Sequence, residues 1–394
     1  MPPFKTPAWM LEALDERREQ HLFRSTQVVS SPQTTWMRQG DRRYLSFCSN
    51  DYLGLANHPH LKQTLSDAAH QYGVGSGASH LVCGHLDIHE RLEQALSGWL
   101  GYERVLLFST GYMANLAVIS ALASKRHPVL MDKLNHASLI DGARLSGATF
   151  KRYLHNDVSS AQKHLQSLDQ PGVLATDGIF SMDGDRAPLA SLASLAREHE
   201  WLLVVDDAHG LGCMGHEGKG AIDLDGLGAE DVPFLMGTFG KAFGVAGAFV
   251  ACSQDMADYL TQFARPYIYT TAMSPAIAAT VLASLELIRS DEGQQRREQL
   301  ANHIQLLRQR SAAWPYPMMP SDSAIQPMLI GQSDDALHIS AALAEAGILC
   351  KAIRPPTVPP NTARLRITLS AEHTHGEVVH LCDTLDAIFN DVSE

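Results

Sequence analysis

Lys241 sits in Gly237-Thr238-Phe239-Gly240-Lys241-Ala242-Phe243-Gly244, a glycine-flanked turn entered from the short apolar run Pro233 to Met236. Glycines let the backbone approach a ligand closely, and Thr238 places a hydroxyl just ahead of the amine. A lysine withdrawn from bulk water gives up its proton more readily, which suits it to Schiff-base chemistry. Upstream, Trp201-Leu202-Leu203-Val204-Val205 reads as a buried strand and ends in Asp206-Asp207-Ala208-His209. One strand that delivers a carboxylate and an imidazole, followed by another that delivers an amine, suggests a site for pyridoxal 5'-phosphate (PLP).

PLP chemistry asks a protein for an amine, an acid at the pyridine nitrogen, a polar group near the phenolate oxygen and a cradle for the phosphate. Lys241 is the amine. Asp206 pairs with the ring nitrogen, keeps it protonated and so makes the ring an electron sink. His209 reaches toward the phenolate, as does Ser181 in Ile179-Phe180-Ser181-Met182-Asp183-Gly184. The cradle is Ser109-Thr110-Gly111-Tyr112-Met113-Ala114-Asn115, a strand, a turn of small residues and then a helix start. Free N–H groups and the positive dipole end gather there, so Gly111 and Tyr112 offer backbone amides and Thr238 adds a hydroxyl. His136, in Asn135-His136-Ala137-Ser138, is placed to stack on the ring face.

These residues need a scaffold that brings strand ends together. From Ile88 onward the pattern alternates helix and apolar strand: strands at Val105 to Phe108, Val129 to Met131, Val173 to Thr176 and Leu202 to Val205, with helices between them. Apolar strands separated by helices predict an α/β fold with a mostly parallel central sheet covered on both faces. Ligands collect at the carboxyl ends of such strands, where all the residues above fall. Pro7 to Arg24 reads as an amphipathic helix with Trp9, Leu11, Leu14 and Leu22 near one face. Strands are expected at Thr34 to Met37 and Tyr44 to Phe47, and a loop at Gly73 to Gly84. Ala276 to Arg310 reads as a long helix broken near Asp291-Glu292-Gly293, leading to a smaller C-terminal α/β domain. The expected division is 1–58 (N-terminal helix and short strands packing with the small domain), 59–290 (large PLP-binding domain) and 291–394 (small domain).

The net charge of -12 argues against nucleic-acid and anionic-membrane surfaces. Six scattered cysteines without a CxxC pair, and no secretory leader, suggest free thiols in a cytoplasmic protein. Three patterns are set aside. Gly73 to Ala78 matches the dinucleotide fingerprint but follows a helix rather than a strand. His85 and His89, four residues apart, lack a third metal ligand, so no metal is expected. His373 and His375 read as solvated turn residues.

With these motifs together, and with Ser49-Asn50-Asp51-Tyr52-Leu53-Gly54 added, the chain resembles over nearly its whole length the α-oxoamine synthases, PLP enzymes of fold type I (aspartate-aminotransferase-like). Within that family, Ser323 to Pro327, His155-Asn156-Asp157-Val158 and Ala352 to Pro359 are most similar to the biotin-pathway member. That member is an acyltransferase condensing L-alanine with a pimeloyl thioester, carried by CoA or a carrier protein. A glycine C-acetyltransferase, using glycine and acetyl-CoA, is the alternative, and an aminotransferase on the same fold a more distant one. One departure is Ala78, where many relatives carry glycine. The resemblance implies that Lys241 binds PLP and then acts as general base, with His136 stacked on the ring. It implies that Asn50 and Arg366 hold the amino-acid carboxylate, with Arg354 as the competing partner. Arg24 and Thr357 match substrate-contact positions. The site is expected at a homodimer interface, with Thr270 or Thr271 reaching the neighbouring subunit's phosphate.

Overall fold

The computed structural model describes residues 5–20 and 22–392. Its strands, in chain order, are β1 (Trp36–Gln39), β2 (Arg42–Ser46), β3 (Arg104–Phe108), β4 (Val129–Asp132), β5 (Phe150–Tyr153), β6 (Val173–Asp177), β7 (Leu202–Asp206), β8 (Phe234–Thr238), β9 (Ala248–Cys252), β10 (Ile325–Gly331), β11 (Ile348–Leu349), β12 (Lys351–Ile353) and β13 (Ala363–Thr368). The central sheet has seven strands in the order β3-β9-β8-β7-β6-β4-β5. All its pairings are parallel except those of β9, which runs antiparallel to both β3 and β8. The inner strands are largely apolar because helices cover both faces: Val173, Leu174, Leu203, Val204, Val205 and Leu235 are all buried. Each such side chain contributes roughly 1.5–3 kcal/mol of burial.

Parallel pairing sets the register that matters most. In β6 and β7, Asp177 lies opposite Asp206, so two carboxylates emerge side by side at the carboxyl edge. The next residue, Asp207, turns the other way. Its backbone N–H donates to Met236 and its Oδ2 accepts from Ala221 N at 2.6 Å. A Cβ at Gly220, whose φ is +95°, would lie 2.0 Å from that oxygen, so only glycine admits the backbone so close.

Two small sheets flank the large one. The order β10-β13-β12 is antiparallel, and β2 joins β1 on one side and β11 on the other. The N-terminal strands therefore pair with a C-terminal strand.

Several expectations need correction. The first helix covers Ala8–Glu19, buries no residue and ends before Leu22; His21, inside the expected span, lies outside the described residues. Trp9 and Leu11 are 65% and 49% exposed, so the periodic apolar face is left uncovered by the described residues. The Gly73 to Gly84 loop finishes in a single π-helical turn, His80–Gly84. The long helix does break where expected, next to Asp291: Pro275–Arg289 ends at Ser290, whose hydroxyl caps Asp291–Ser311 by accepting from Gly293 N at 3.4 Å. Asp291 and Glu292 then lie in the first turn, where acidic residues favour the helix dipole. His373 is buried, stacks on Phe47 at 4.3 Å and bonds Ser46 O and Ser370 N. His375 is exposed.

Candidate active site

The carboxyl edge of the central sheet holds a cavity of about 190 Å³. Gly111, Tyr112, His136, Ser181, Asp206, His209, Thr238 and Lys241 all line it, joined by Asn115, Asp177, Ala208 and Met236. A larger cavity, about 450 Å³, lies at the opposite strand ends, near Val173, Leu202 and Phe234, and no lysine or arginine lines it. The chemistry belongs to the smaller one.

Lys241 follows β8, and its Nζ lies 2.8 Å from His209 Nε2. Burial pushes the amine down to about 8, Asp206 and Asp177 pull it up, and Arg366 lowers it again. Burial, then Lys241 and Arg366, hold His209 well below its usual range, so its imidazole is neutral. The ring accepts from Lys241 at Nε2 and donates from Nδ1 to the Tyr52 hydroxyl, 2.6 Å away. Tyr52 donates onward to Asn50 Oδ1 at 3.3 Å, which also accepts from Arg366 Nη2 at 3.2 Å. One hydrogen-bonded path thus joins the reactive amine to the arginine.

Arg366, 8% exposed, donates also from Nε to Ser181 O at 2.7 Å and from Nη1 to Thr368 Oγ1 at 2.8 Å. All three acceptors are neutral oxygens. Arg364, two residues earlier, pairs with Asp183 at 2.6 Å. Among the described residues, Arg366 is thus a buried cation without a carboxylate, which is costly unless a ligand supplies one.

On the opposite wall, Asp206 accepts from Asn115 Nδ2 at 2.7 Å and from Ala208 N at 3.1 Å. Burial and then Asp206 raise its neighbour Asp177 well above the usual carboxylate range. Asp177 accepts from His136 N at 3.2 Å. His136 caps the helix Ala137–Ser146, is exposed to the cavity, and meets Tyr112 edge-on at 6.2 Å. Tyr112 donates its hydroxyl to Asp141. At the third corner, Thr110 caps the helix Gly111–Leu122 by accepting from Met113 N at 3.2 Å. The amides of Gly111 and Tyr112 remain for an anion. Thr238 Oγ1 donates to Gly247 O at 3.0 Å. An acid, an amine, a ring-facing imidazole and a helix start surround one small space, so the residues fit PLP.

Other predicted positions fall elsewhere. Thr270 and Thr271 line a separate small cleft beside His80 and Ser109. Arg354 lines a wide recess with Arg18, Phe23 and Leu337. Thr357 N donates to Arg354 O at 3.0 Å, and its side chain, like that of Arg24, is exposed. Arg366 stands one hydrogen bond behind the cavity wall, through Ser181 O, and Asn50 two, through Arg366 or Tyr52. Tyr52, Asn115, Ser138 and Asp177 were missed as site residues. Tyr52 lies in a motif the resemblance quoted, but nothing local marks a buried tyrosine as a relay.

The class I and II aminotransferase family matches residues 42–385. An 8-amino-7-oxononanoate synthase of Marinomonas sp. is 61% identical over 97% of this chain and 95% of that protein. One from Stutzerimonas stutzeri is 52% identical over 94% of each. The chain belongs to the 8-amino-7-oxononanoate synthase family. Solved structures agree: a family member from Francisella tularensis superposes with a TM-score of 0.78 at 30% identity, covering 89% of this chain and 99% of that one. A serine palmitoyltransferase from S. paucimobilis with bound PLP gives 0.91 at 27% identity over 98% of each. The fold is therefore the type I fold of PLP-dependent transferases, and PLP is the cofactor of this family member. Among the described residues no helix is long and apolar enough to cross a membrane.

The His155-Asn156 motif has a structural role beside the site. His155 Nδ1 lies 3.0 Å from Asp132 and Nε2 lies 2.8 Å from Asp185. Asn156 N and Nδ2 donate to the same two aspartates, each at 2.8 Å. This clip ties the end of β4 to the hairpin that carries Ser181. Burial alone would lower the His155 pKa, but its bonds and charges with Asp132 and Asp185 override this and raise it to about 10. A raised pKa contributes stability that is fully present below the unfolded value, about 6.5, and is lost as pH climbs through about 10. The Tm advantage of wild type over His155→Gln should thus be on the order of 5 °C at pH 6 and shrink steadily toward pH 10. A gap that stays constant across that range in thermal melts would show that the imidazolium does not hold the clip.

Proposed function

We propose that this chain catalyses the PLP-dependent, decarboxylative condensation of L-alanine with a pimeloyl thioester, giving 8-amino-7-oxononanoate, CO2 and the free thiol carrier, in biotin biosynthesis. The observation that carries the reading is the buried, carboxylate-free Arg366 linked through Asn50, Tyr52 and His209 to the Lys241 amine. When bound, PLP supplies an electron sink for negative charge at the amino-acid α-carbon. Asp206 would keep the ring nitrogen protonated, with Asn115 holding Asp206 in place. His136 would pack against the ring, Ser181 and His209 would address the phenolate, and Gly111, Tyr112 and Thr238 would hold the phosphate. Arg366 receives the alanine carboxylate, for which a planar fork is suited. Lys241 moves the proton at the alanine α-carbon; its pKa of about 8 leaves a usable fraction of free amine near neutrality. Arg24 and Thr357 contact the acyl substrate from the N-terminal segment and the proline-rich loop.

A second copy of the chain covers the exposed Trp9, Leu11 and Phe23, since apolar patches of this kind mark interfaces. Thr270 and Thr271, outside their own chain's cavity, then serve the partner's phosphate. The six free cysteines fit a cytoplasmic enzyme. Pairwise assay tests the reading: L-alanine or glycine with pimeloyl or acetyl thioester, following thiol release in the fraction that elutes as a dimer. Alanine with the pimeloyl thioester should exceed every other pair by at least tenfold. Glycine with acetyl-CoA as the best pair would replace the proposed reaction with an acetyltransferase.

A further inference from the structure

The wall of the cavity contains a second hydrogen-bonded chain, with a direction. Asn115 and Ser138 are 1% and 0% exposed. Asn115 Nδ2 lies 2.7 Å from Asp206 Oδ2 and 2.9 Å from Ser138 Oγ. Ser138 Oγ lies 2.7 Å from His136 Nδ1. We infer that Asn115 and Ser138 are positioning residues that fix His136 as the neutral Nε2–H tautomer while orienting Asp206. The inference rests on the PLP reading for its purpose, but not for its hydrogen bonds.

The direction follows from what each atom can do. An ionised carboxylate only accepts, so the Asn115 amide must present its nitrogen to Asp206; turned over, its oxygen would face the Asp206 oxygen. The same nitrogen has a second hydrogen, and Ser138 Oγ stands in its path. Ser138 therefore accepts from Asn115, and its own hydrogen is left for His136 Nδ1. Ser138 N, 3.4 Å from that nitrogen, points a second donor at it. With donors converging on Nδ1, the ring proton belongs on Nε2.

The consequence is chemical. A proton on Nδ1 alone would collide with the Ser138 donors and leave Nε2 bare, and a proton there in addition to Nε2–H would make His136 cationic. A cation against a ring whose nitrogen Asp206 keeps protonated would be repelled, and the stacking surface would weaken. One amide thus serves both the acid at the ring edge and, through one hydroxyl, the imidazole on its face. Sequence spacing hides this, because Asn115, Ser138 and Asp206 come from three different crossovers.

The test is 15N NMR of histidine-labelled full-length protein, with PLP bound and after its removal, using a His136→Asn spectrum to assign the ring. Wild type should show a bare Nδ1 and a protonated Nε2 in both forms. Ser138→Ala, a small change, should let Nδ1–H become populated. Asn115→Ala should weaken PLP binding about tenfold or more by freeing Asp206, measured by fluorescence titration, and should retain the wild-type tautomer only in part. Wild-type protein with Nδ1–H overturns the inference, as does a His136 spectrum that Ser138→Ala leaves unchanged. If the variants do not fold by circular dichroism, the wild-type spectrum alone decides it. Failure of PLP to bind at all would refute the functional reading and leave the tautomer result standing.

Discussion

Lys241→Ala should lose at least about 10⁴-fold in turnover, because the residue has two duties that nothing else in the cavity can assume. In the proposed reaction it is the covalent attachment point for the cofactor and the base at the α-carbon, and a positioned base alone is worth 10²–10⁴. Of the other two nitrogen bases lining the cavity, His136 has its Nδ1 bonded to Ser138, and His209 is buried, held well below its usual range and committed to Tyr52. It cannot be freed without breaking the path to Arg366. The variant should still bind PLP, since Asp206, His136 and the start of the Gly111–Leu122 helix are untouched. Attachment and binding therefore separate experimentally. After borohydride reduction, wild-type protein should carry a pyridoxyl group on the peptide containing Lys241, and the variant should carry none while still retaining PLP through gel filtration. A variant that keeps more than a tenth of wild-type turnover would remove Lys241 from the centre of the reaction.

The strands that carry the site were legible because each is an apolar run closed by polar residues, and a parallel sheet leaves no alternative for such runs. Asp206 and Lys241 could be read for the same reason: they sit where those runs stop. What escaped was set by contacts across the chain. β5, Phe-Lys-Arg-Tyr, has only one buried residue, so nothing in its pattern marks it as an edge strand. β9 hides in the glycine-rich stretch after Lys241, and its antiparallel insertion between β3 and β8 has no local signature. His373 looked solvated because its neighbours Thr374 and His375 are exposed; its burial comes from Phe47, hundreds of residues away. Asn115 resembled any small polar residue near a helix start, and only the fold brings Asp206, from a strand 91 residues on, within 2.7 Å of it. The competition between Arg354 and Arg366 was undecidable from spacing, since one lies within the proline-rich stretch and the other just after it. In the fold they diverge: Arg354 faces the recess beside Phe23, while Arg366, on β13, bonds the hairpin bearing Ser181.

That divergence leads to an asymmetric expectation for Arg366→Ala. If the guanidinium receives the alanine carboxylate, its removal deletes a charge-assisted pair worth about 1.5–3 kcal/mol, which raises KM for alanine by roughly 10- to 100-fold. PLP affinity should change by less than about threefold, because Arg366 touches no residue assigned to the phosphate or the pyridine nitrogen. Some stability is lost as well, since Ser181 O, Thr368 and Asn50 lose a donor. Thermal melts at saturating PLP therefore belong beside the kinetics. Arg366→Lys should fall between, retaining the charge without the fork. Arg354→Ala should leave the alanine KM within about twofold, and any loss there should appear in the KM of the acyl thioester. Equal weakening of alanine and PLP in Arg366→Ala would point to collapse of the Ser181 hairpin. A selective rise in alanine KM from Arg354→Ala would transfer the carboxylate to the other arginine.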